Sequence, residues 1–233
     1  MAAARRPGAS VLLEGVHALK HAVRFGARIE RIITPDRTQL LRLLDELAPD
    51  VALPVEATQV DAERWRRLVP RDLPSPVLAI AARPPDALDH ALADTTGRLV
   101  VLEQPRHLGN LGAAVRVAAA AGAAGLAVVG RADPWHPTAV RTAAGLQFAL
   151  PVGRCDALAD TARPLVALDP QGPDIHEVGL PEGAALLFGT ERGGLSTRLR
   201  ARADTRVSIA MRAGVSSLNL ATAVGIALYA PSA

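Results

Sequence analysis

From residue 98 onward the chain repeats one pattern, a short apolar run bounded by turn residues and then a stretch with helical spacing. Arg98-Leu-Val-Val-Leu-Glu103 opens it, with nothing polar between its ends, which suits a strand buried on both faces. A small-residue helix over 112–121, a strand over 125–129, a helix over 138–145 and a strand over 164–168 follow. Residues 184–188 and 206–209 supply two further strands, and 217–229 a closing helix. Strands that alternate with helices need crossover connections, so the expectation is an α/β fold around a mostly parallel sheet.

The preceding residues read as a smaller α/β unit. A helix over 16–26 ends at Gly26, a strand spans 29–33, a helix spans 39–47 and an extended segment 54–60. Asp61 caps a short helix through Leu68, and 77–82 is a strand. Arg83-Pro-Pro-Asp86 reads as a linker, since consecutive prolines deny the chain both helix and ladder hydrogen bonds. The expected division is therefore 1–88 and 89–233, with Met1 to Ser10 as a frayed tail.

Composition narrows the function classes. Hydrophobic residues make up 49% of the chain, yet no uninterrupted apolar run reaches membrane-spanning length. No membrane partner is expected, and the basic start has too short an apolar run behind it for a secretory signal. A single cysteine, Cys155, excludes an internal disulfide and shows no metal-cluster spacing, which fits a cytoplasmic protein without a metal. The net charge is +3, and Lys20 is the only lysine, so the positive charge is nearly all guanidinium, a group suited to phosphate. Neither half is a polycation, so RNA contact must come from local patches such as Arg64, Arg66, Arg67 and Arg71 around Trp65. A solvated amphipathic helix with Trp65 in the core explains that cluster as well.

Three segments carry the chemistry. In Glu103-Gln-Pro-Arg-His-Leu-Gly-Asn-Leu-Gly-Ala-Ala-Val-Arg116 a strand meets a helix. Gly109 and Gly112 admit close backbone approach, Asn110 can cap the helix and Arg116 projects about one turn in. A dinucleotide fingerprint needs three glycines at another spacing, so an oxidoreductase reading fails here. In Leu186-Leu-Phe-Gly-Thr-Glu-Arg-Gly-Gly-Leu-Ser196 a buried strand enters a turn where Gly189 opens the backbone to a planar ligand and Glu191 adds a carboxylate. An ordinary strand-to-helix turn with Ser196 as cap accounts for the same residues. The third segment, Val207 to Tyr229, crowds Ser216, Ser217 and Asn219 before a helix whose Ala221, Ala223, Gly225 and Ala227 leave one side small. Capping explains one of those polar groups, hardly all three.

In this order the three segments resemble the motifs of the SPOUT superfamily, specifically the TrmH-like RNA 2'-O-ribose methyltransferases, over about residues 98–230. The unit beginning at Leu13-Glu-Gly-Val-His-Ala-Leu resembles the L30e-like substrate-binding domain often joined to them. The resemblance implies a deep trefoil knot at the C-terminal end of a parallel-sheet catalytic domain. It implies S-adenosylmethionine as the donor, held by Leu187, Gly189, Ile209, Ser217 and Leu218. It also implies Asn110, Arg116, Glu191 and Asn219 around the reacting centre of a homodimer, with Arg116 supplied across the interface. Arg141, in Pro137 to Gly145, matches a family stretch that lines the site, and an exposed helix arginine is the equal alternative. Ala210 replaces the family's usual proline, while His107 and His136 match no catalytic position.

Methyl transfer to a ribose hydroxyl needs in-line positioning and removal of a proton. A guanidinium stays protonated, so the expected role of Arg116 is to bind the adjoining phosphate and polarise the hydroxyl. A phosphate oxygen, Glu191 or water then takes the proton. The implied substrate is structured RNA, ribosomal in preference to transfer RNA. A non-catalytic RNA-binding protein that kept the fold is the alternative.

Overall fold

The computed structural model describes residues 9–69, 72–73, 75–190 and 193–233. They form two compact units, one made of residues through Pro85 with Trp135–Ala149, the other of Asp86–Pro134 with Leu150–Ala233.

The first unit contains β1 (Ser10–Glu14), α1 (Val16–Arg24), β2 (Ile29–Thr34), α2 (Arg37–Leu47), β3 (Ala57–Gln59), α3 (Ala62–Leu68) and β4 (Leu78–Ala82). Its sheet runs β1-β4-β2-β3, antiparallel except for the β2–β3 pair. Val11, Leu13, Leu19, Ile32 and Leu40 fill the core, each burial being worth about 1.5–3 kcal/mol over exposure. Asp36 and Asp61 start α2 and α3 by accepting hydrogen bonds from the Gln39 and Arg64 amides.

Two expectations change here. Ser10 belongs to a strand rather than a frayed tail, since Val11 and Leu13 are buried against β4. Helix α1 ends at Arg24, two residues before Gly26. Trp65 is half-buried, and no residue of α3 is buried, so α3 is a mostly solvated helix. Arg71 lies outside the described residues.

The chain returns to this unit after residue 134, which no local signal announces. The helix expected over 138–145 occupies Pro137–Thr142, capped by the His136 ring, and a 3-10 turn follows at Leu146–Phe148. Trp135 meets Phe148 edge to face, with ring centroids 5.1 Å apart. Ala144 and Gly145 both adopt positive φ, and a β-carbon on Gly145 would lie 2.5 Å from the Ala18 carbonyl oxygen. Only glycine fits that approach to α1.

The second unit holds α4 (Leu88–Ala93), β5 (Leu99–Glu103), α5 (Leu108–Ala120), β6 (Gly125–Val129), β7 (Val152–Cys155) and β8 (Leu165–Leu168). It continues through α7 (Ile175–Val178), β9 (Ala185–Phe188), α8 (Thr197–Arg202), β10 (Thr205–Val207) and α9 (Leu220–Leu228), with α6 being the Pro137–Thr142 helix above. Six strands run parallel in the order β10-β8-β9-β5-β6-β7. The central β5, β6 and β9 are almost wholly buried, as their continuous apolar runs require.

Helix α5 begins at Leu108, four residues earlier than expected, and takes Gly109 and Gly112 inside. Each glycine costs a helix about 1 kcal/mol against alanine, and burial of Leu111, Ala114, Val115 and Ala118 offsets it. Asn110 therefore sits in the first turn and does not cap. His107 holds the cap position without a side-chain cap bond. Helix α9 packs on α5, and a β-carbon on Gly225 would sit 3.4 Å from Val117 Cγ1.

Candidate active site

Three strands of the second unit end side by side, and the chain leaving them encloses a cleft of about 170 Å³. Asp169 and Pro170 follow β8, Gly189 and Thr190 follow β9, and Ser208 and Ile209 follow β10. Ser216, Ser217 and Leu218, on the approach to α9, and Leu220 and Ala223 within it complete the wall. Ligands of parallel sheets bind outside the carboxyl ends of the strands, where loops can vary without disturbing the core.

Gly189, Ile209, Ser217 and Leu218 thus share one cleft. Leu187 does not line it, because its side chain is completely buried within β9. Any part it plays in the site passes through its backbone. The β-carbon that Gly189 lacks would not point into the cleft either; it would overlap the backbone of Gly194 and Leu195. Thr190 and Gly194 exchange backbone hydrogen bonds of 3.0 Å, closing the turn that Gly189 opens. This glycine is required by the turn itself. Glu191 lies outside the described residues.

The third segment meets the first through two amides. Asn219 Nδ2 donates to Asn110 Oδ1 at 3.1 Å, while Asn219 Oδ1 accepts from the Ala221 amide at 2.9 Å. Asn219 both caps α9 and fixes the orientation of Asn110. Arg116 stands apart, exposed on α5 two turns in rather than one, with no partner among the described residues. Six residues of helix separate it from Asn110, which turns the two side chains about 120° apart. Ser217 is exposed on the cleft rim, so capping leaves Ser216 and Ser217 unexplained.

Arg141 is already paired. Its Nη1 donates to Glu14 Oε2 at 2.6 Å, with the carboxylate only 11% exposed. It is a structural tie within the first unit.

Sequence reasoning missed two carboxylates. Asp169, 7% exposed on the cleft wall, pairs with Arg200 Nε at 3.1 Å and accepts from the Gln171 amide. Its signal was an acid directly after the strand, in Leu168-Asp-Pro. Glu103 Oε2 accepts from the Ser196 amide at 2.7 Å, tying the end of β5 to the loop after Gly189. Ser196 itself caps α8 through the Leu199 amide. Among the described residues no three His, Cys, Asp or Glu side chains are grouped to hold a metal, and no helix is long and apolar enough to cross a membrane. Cys155 is half-buried, and burial raises its thiol above the usual range.

The cleft's chemistry suits an adenosine-like ligand. Leu218, Leu220 and Phe188 offer apolar contact for a planar ring, while Ser208, Ser216, Ser217 and exposed turn backbone offer hydrogen bonds.

Residues 97–229 match the SpoU rRNA Methylase family. A 23S rRNA (adenosine(1067)-2'-O)-methyltransferase of Streptomyces azureus is 31% identical, over 94% of this chain and 85% of its own. The 23S rRNA (guanosine-2'-O-)-methyltransferase RlmB of Ralstonia nicotianae is 32% identical, over 94% of each. The crystal structure of the SpoU methyltransferase AviRb from Streptomyces viridochromogenes, in complex with the cofactor AdoMet, superposes with a TM-score of 0.79. It is 29% identical and covers 95% of this chain and 88% of that one. A parallel sheet with a cleft beyond its strand ends, an Asn110–Asn219 pair beside it and a match over 97–229 are together decisive: the chain belongs to the SpoU rRNA methylase family.

Proposed function

We propose that this protein transfers a methyl group from S-adenosylmethionine to a ribose 2'-hydroxyl of ribosomal RNA, acting in the cytoplasm as a homodimer. The observation that carries the reading is the cleft itself, where Gly189, Ile209, Ser217 and Leu218 converge beside the Asn110–Asn219 pair. Those four residues and the Leu187 backbone would hold the donor, whose sulfonium supplies an electrophilic methyl carbon. Residues 1–88 would select the RNA and 89–233, knotted at the C-terminal end, would perform the transfer. Relatives that methylate an adenosine and a guanosine share the cleft's family, so the target nucleotide is set elsewhere than in the donor pocket.

Arg116 is the residue for the substrate side. It is exposed, lines no part of its own chain's cleft and is turned away from Asn110, which favours service to the partner subunit's site. There its guanidinium would bind a phosphate and polarise the hydroxyl, and the proton would leave to a phosphate oxygen, Glu191 or water. Subunit exchange tests this. Arg116→Ala is mixed with Asn219→Ser, which keeps the α9 cap but removes the amide that reaches Asn110. Each variant alone is expected to be inactive on an unmodified 23S rRNA transcript. Random exchange should restore about a quarter of the sites, since half the dimers are mixed and each carries one intact site. No recovery despite proven exchange refutes the shared site. Absence of donor binding by calorimetry in the wild-type protein refutes the enzyme and leaves an RNA-binding relative.

A further inference from the structure

We infer that a second groove of the catalytic unit binds a backbone phosphate of the RNA, at Arg200 and Arg206. This rests on the reading that the substrate is RNA. The groove is an open one of about 450 Å³ between α8 and β10, lined among others by Thr197, Arg200, Thr205 and Arg206. Nothing in the three motif segments' chemistry uses it. Arg206 is exposed on β10, an edge strand of the sheet, and has no side-chain partner among the described residues. Arg200 is 43% exposed, with Nε on Asp169 and Nη2 donating to the Leu195 carbonyl at 3.2 Å, which leaves Nη1 without a partner among the described residues. The acid in the lining, Asp204, has Oδ2 engaged by the Leu165 amide at 2.8 Å.

Two arginines and two threonines line the groove, and guanidinium and hydroxyl donors are the kind that phosphate oxygens accept. An open groove admits a polymer passing through, where a small metabolite would bury too little surface to stay. The position also fits a substrate path. Asp169 lines the donor cleft and Arg200 lines the groove, so the ion pair between them is a shared wall. A phosphate in the groove lies one side chain away from the donor pocket.

The test uses full-length protein, a fluorescent 20-nucleotide RNA hairpin and an unmodified 23S rRNA transcript. Arg206→Gln should weaken hairpin binding by anisotropy about fivefold near physiological salt, and flatten the log K against log salt slope by about one unit. The KM for the transcript should rise in parallel, with kcat and calorimetric donor affinity unchanged, and Arg206→Lys should recover most of the loss. Identical affinity and slope for Arg206→Gln and wild type overturn the site. A fall in kcat or donor affinity at unchanged RNA binding also overturns it, because the edge strand then acts only through folding. Inorganic phosphate, compared with chloride at equal ionic strength, separates the sources. Inhibition lost in Arg206→Gln together with unchanged hairpin binding assigns the groove to free phosphate and refutes the RNA site. If wild type binds the hairpin through Arg206 but methylates no RNA, the functional reading fails and the groove stands.

Discussion

Arg98 is the group whose removal should be felt most, although it does not line the cleft. Only 8% exposed, it sends Nη1 to the carbonyls of Ala227, Leu228 and Ala230 at 3.2, 3.1 and 2.7 Å, and Nη2 to those of Leu180 and Pro231 at 3.0 and 3.1 Å. A helix C-terminus leaves its last carbonyls without intrahelical partners, and Arg98 answers that need at the end of α9. Burial lowers its pKa, but five carbonyl contacts are those of a protonated guanidinium. Arg98→Met keeps most of the aliphatic stem and removes the donors. The Leu180 and Pro231 carbonyls retain the amides of Ala233 and Leu180, so three carbonyls lose the partner described here. At about 1 kcal/mol for each buried acceptor left bare, the loss is about 3 kcal/mol. For a chain of this size that lowers the melting temperature by about 6–12 °C. Arg98→Lys should fall between, since one ammonium cannot span the same acceptors. Donor affinity measured at 10 °C should hold, because the cleft lies at the other end of α9, roughly 13 Å along the helix axis. Circular-dichroism melts and calorimetry decide it. A shift below about 2 °C would mean that water satisfies these carbonyls and that the clasp contributes nothing.

Two further outcomes follow from the first unit. Removing residues 1–85 takes Glu14, His21 and Ala18 away from Arg141, Ala144 and Gly145, so trypsin should cut after Arg141 in the shortened chain and not in the full one; equal resistance would show that Trp135–Ala149 holds its shape alone. His21 Nδ1 donates to the Ala144 carbonyl at 2.8 Å, and burial, the largest cause, pulls its pKa below the usual 6.5. The unfolded chain then binds the proton more readily, so stability is held above pH 6.5 and falls as pH drops through the lower folded value. The first unit should melt earlier at pH 5 than at pH 7.5, and His21→Gln should flatten that difference; an unchanged pH dependence would refute it.

How much of this was legible depends on how local each cause is. The β5 and β9 runs announce buried strands because continuous apolar residues have no other stable place in an α/β layer. The three segments also announce the site, since turn glycines and clustered polar residues at strand ends belong where a ligand is held. β7 stayed hidden, because Val152-Gly-Arg-Cys155 mixes a glycine and an exposed arginine into an edge strand too short for a period to show. The start of α5 was misplaced because glycine reads as a breaker until the helix packed on it is known.

Charged residues were the least legible, and the reason is physical. Arg98 read as the polar end of a strand, Arg141 as a site-lining or an exposed helix arginine and Asp169 not at all, yet the first clasps carbonyls 82–133 residues away in sequence and the second a carboxylate 127 residues away. A guanidinium looks the same in sequence whether its partner is a buried carbonyl, a carboxylate or a phosphate. What separates them is burial together with the partner's geometry, and both are set by distant chain. Arg116 and Arg206 are two of the exposed arginines of the second unit, with Arg106, Arg131, Arg198 and Arg212, to which that reasoning now applies in reverse: with no protein partner among the described residues, their charge is available to something outside the chain. Arg116 on α5 and Arg206 on β10 therefore make separable claims on the RNA. Losing the first should stop methyl transfer even at saturating RNA, and losing the second should weaken affinity with transfer intact at saturating RNA.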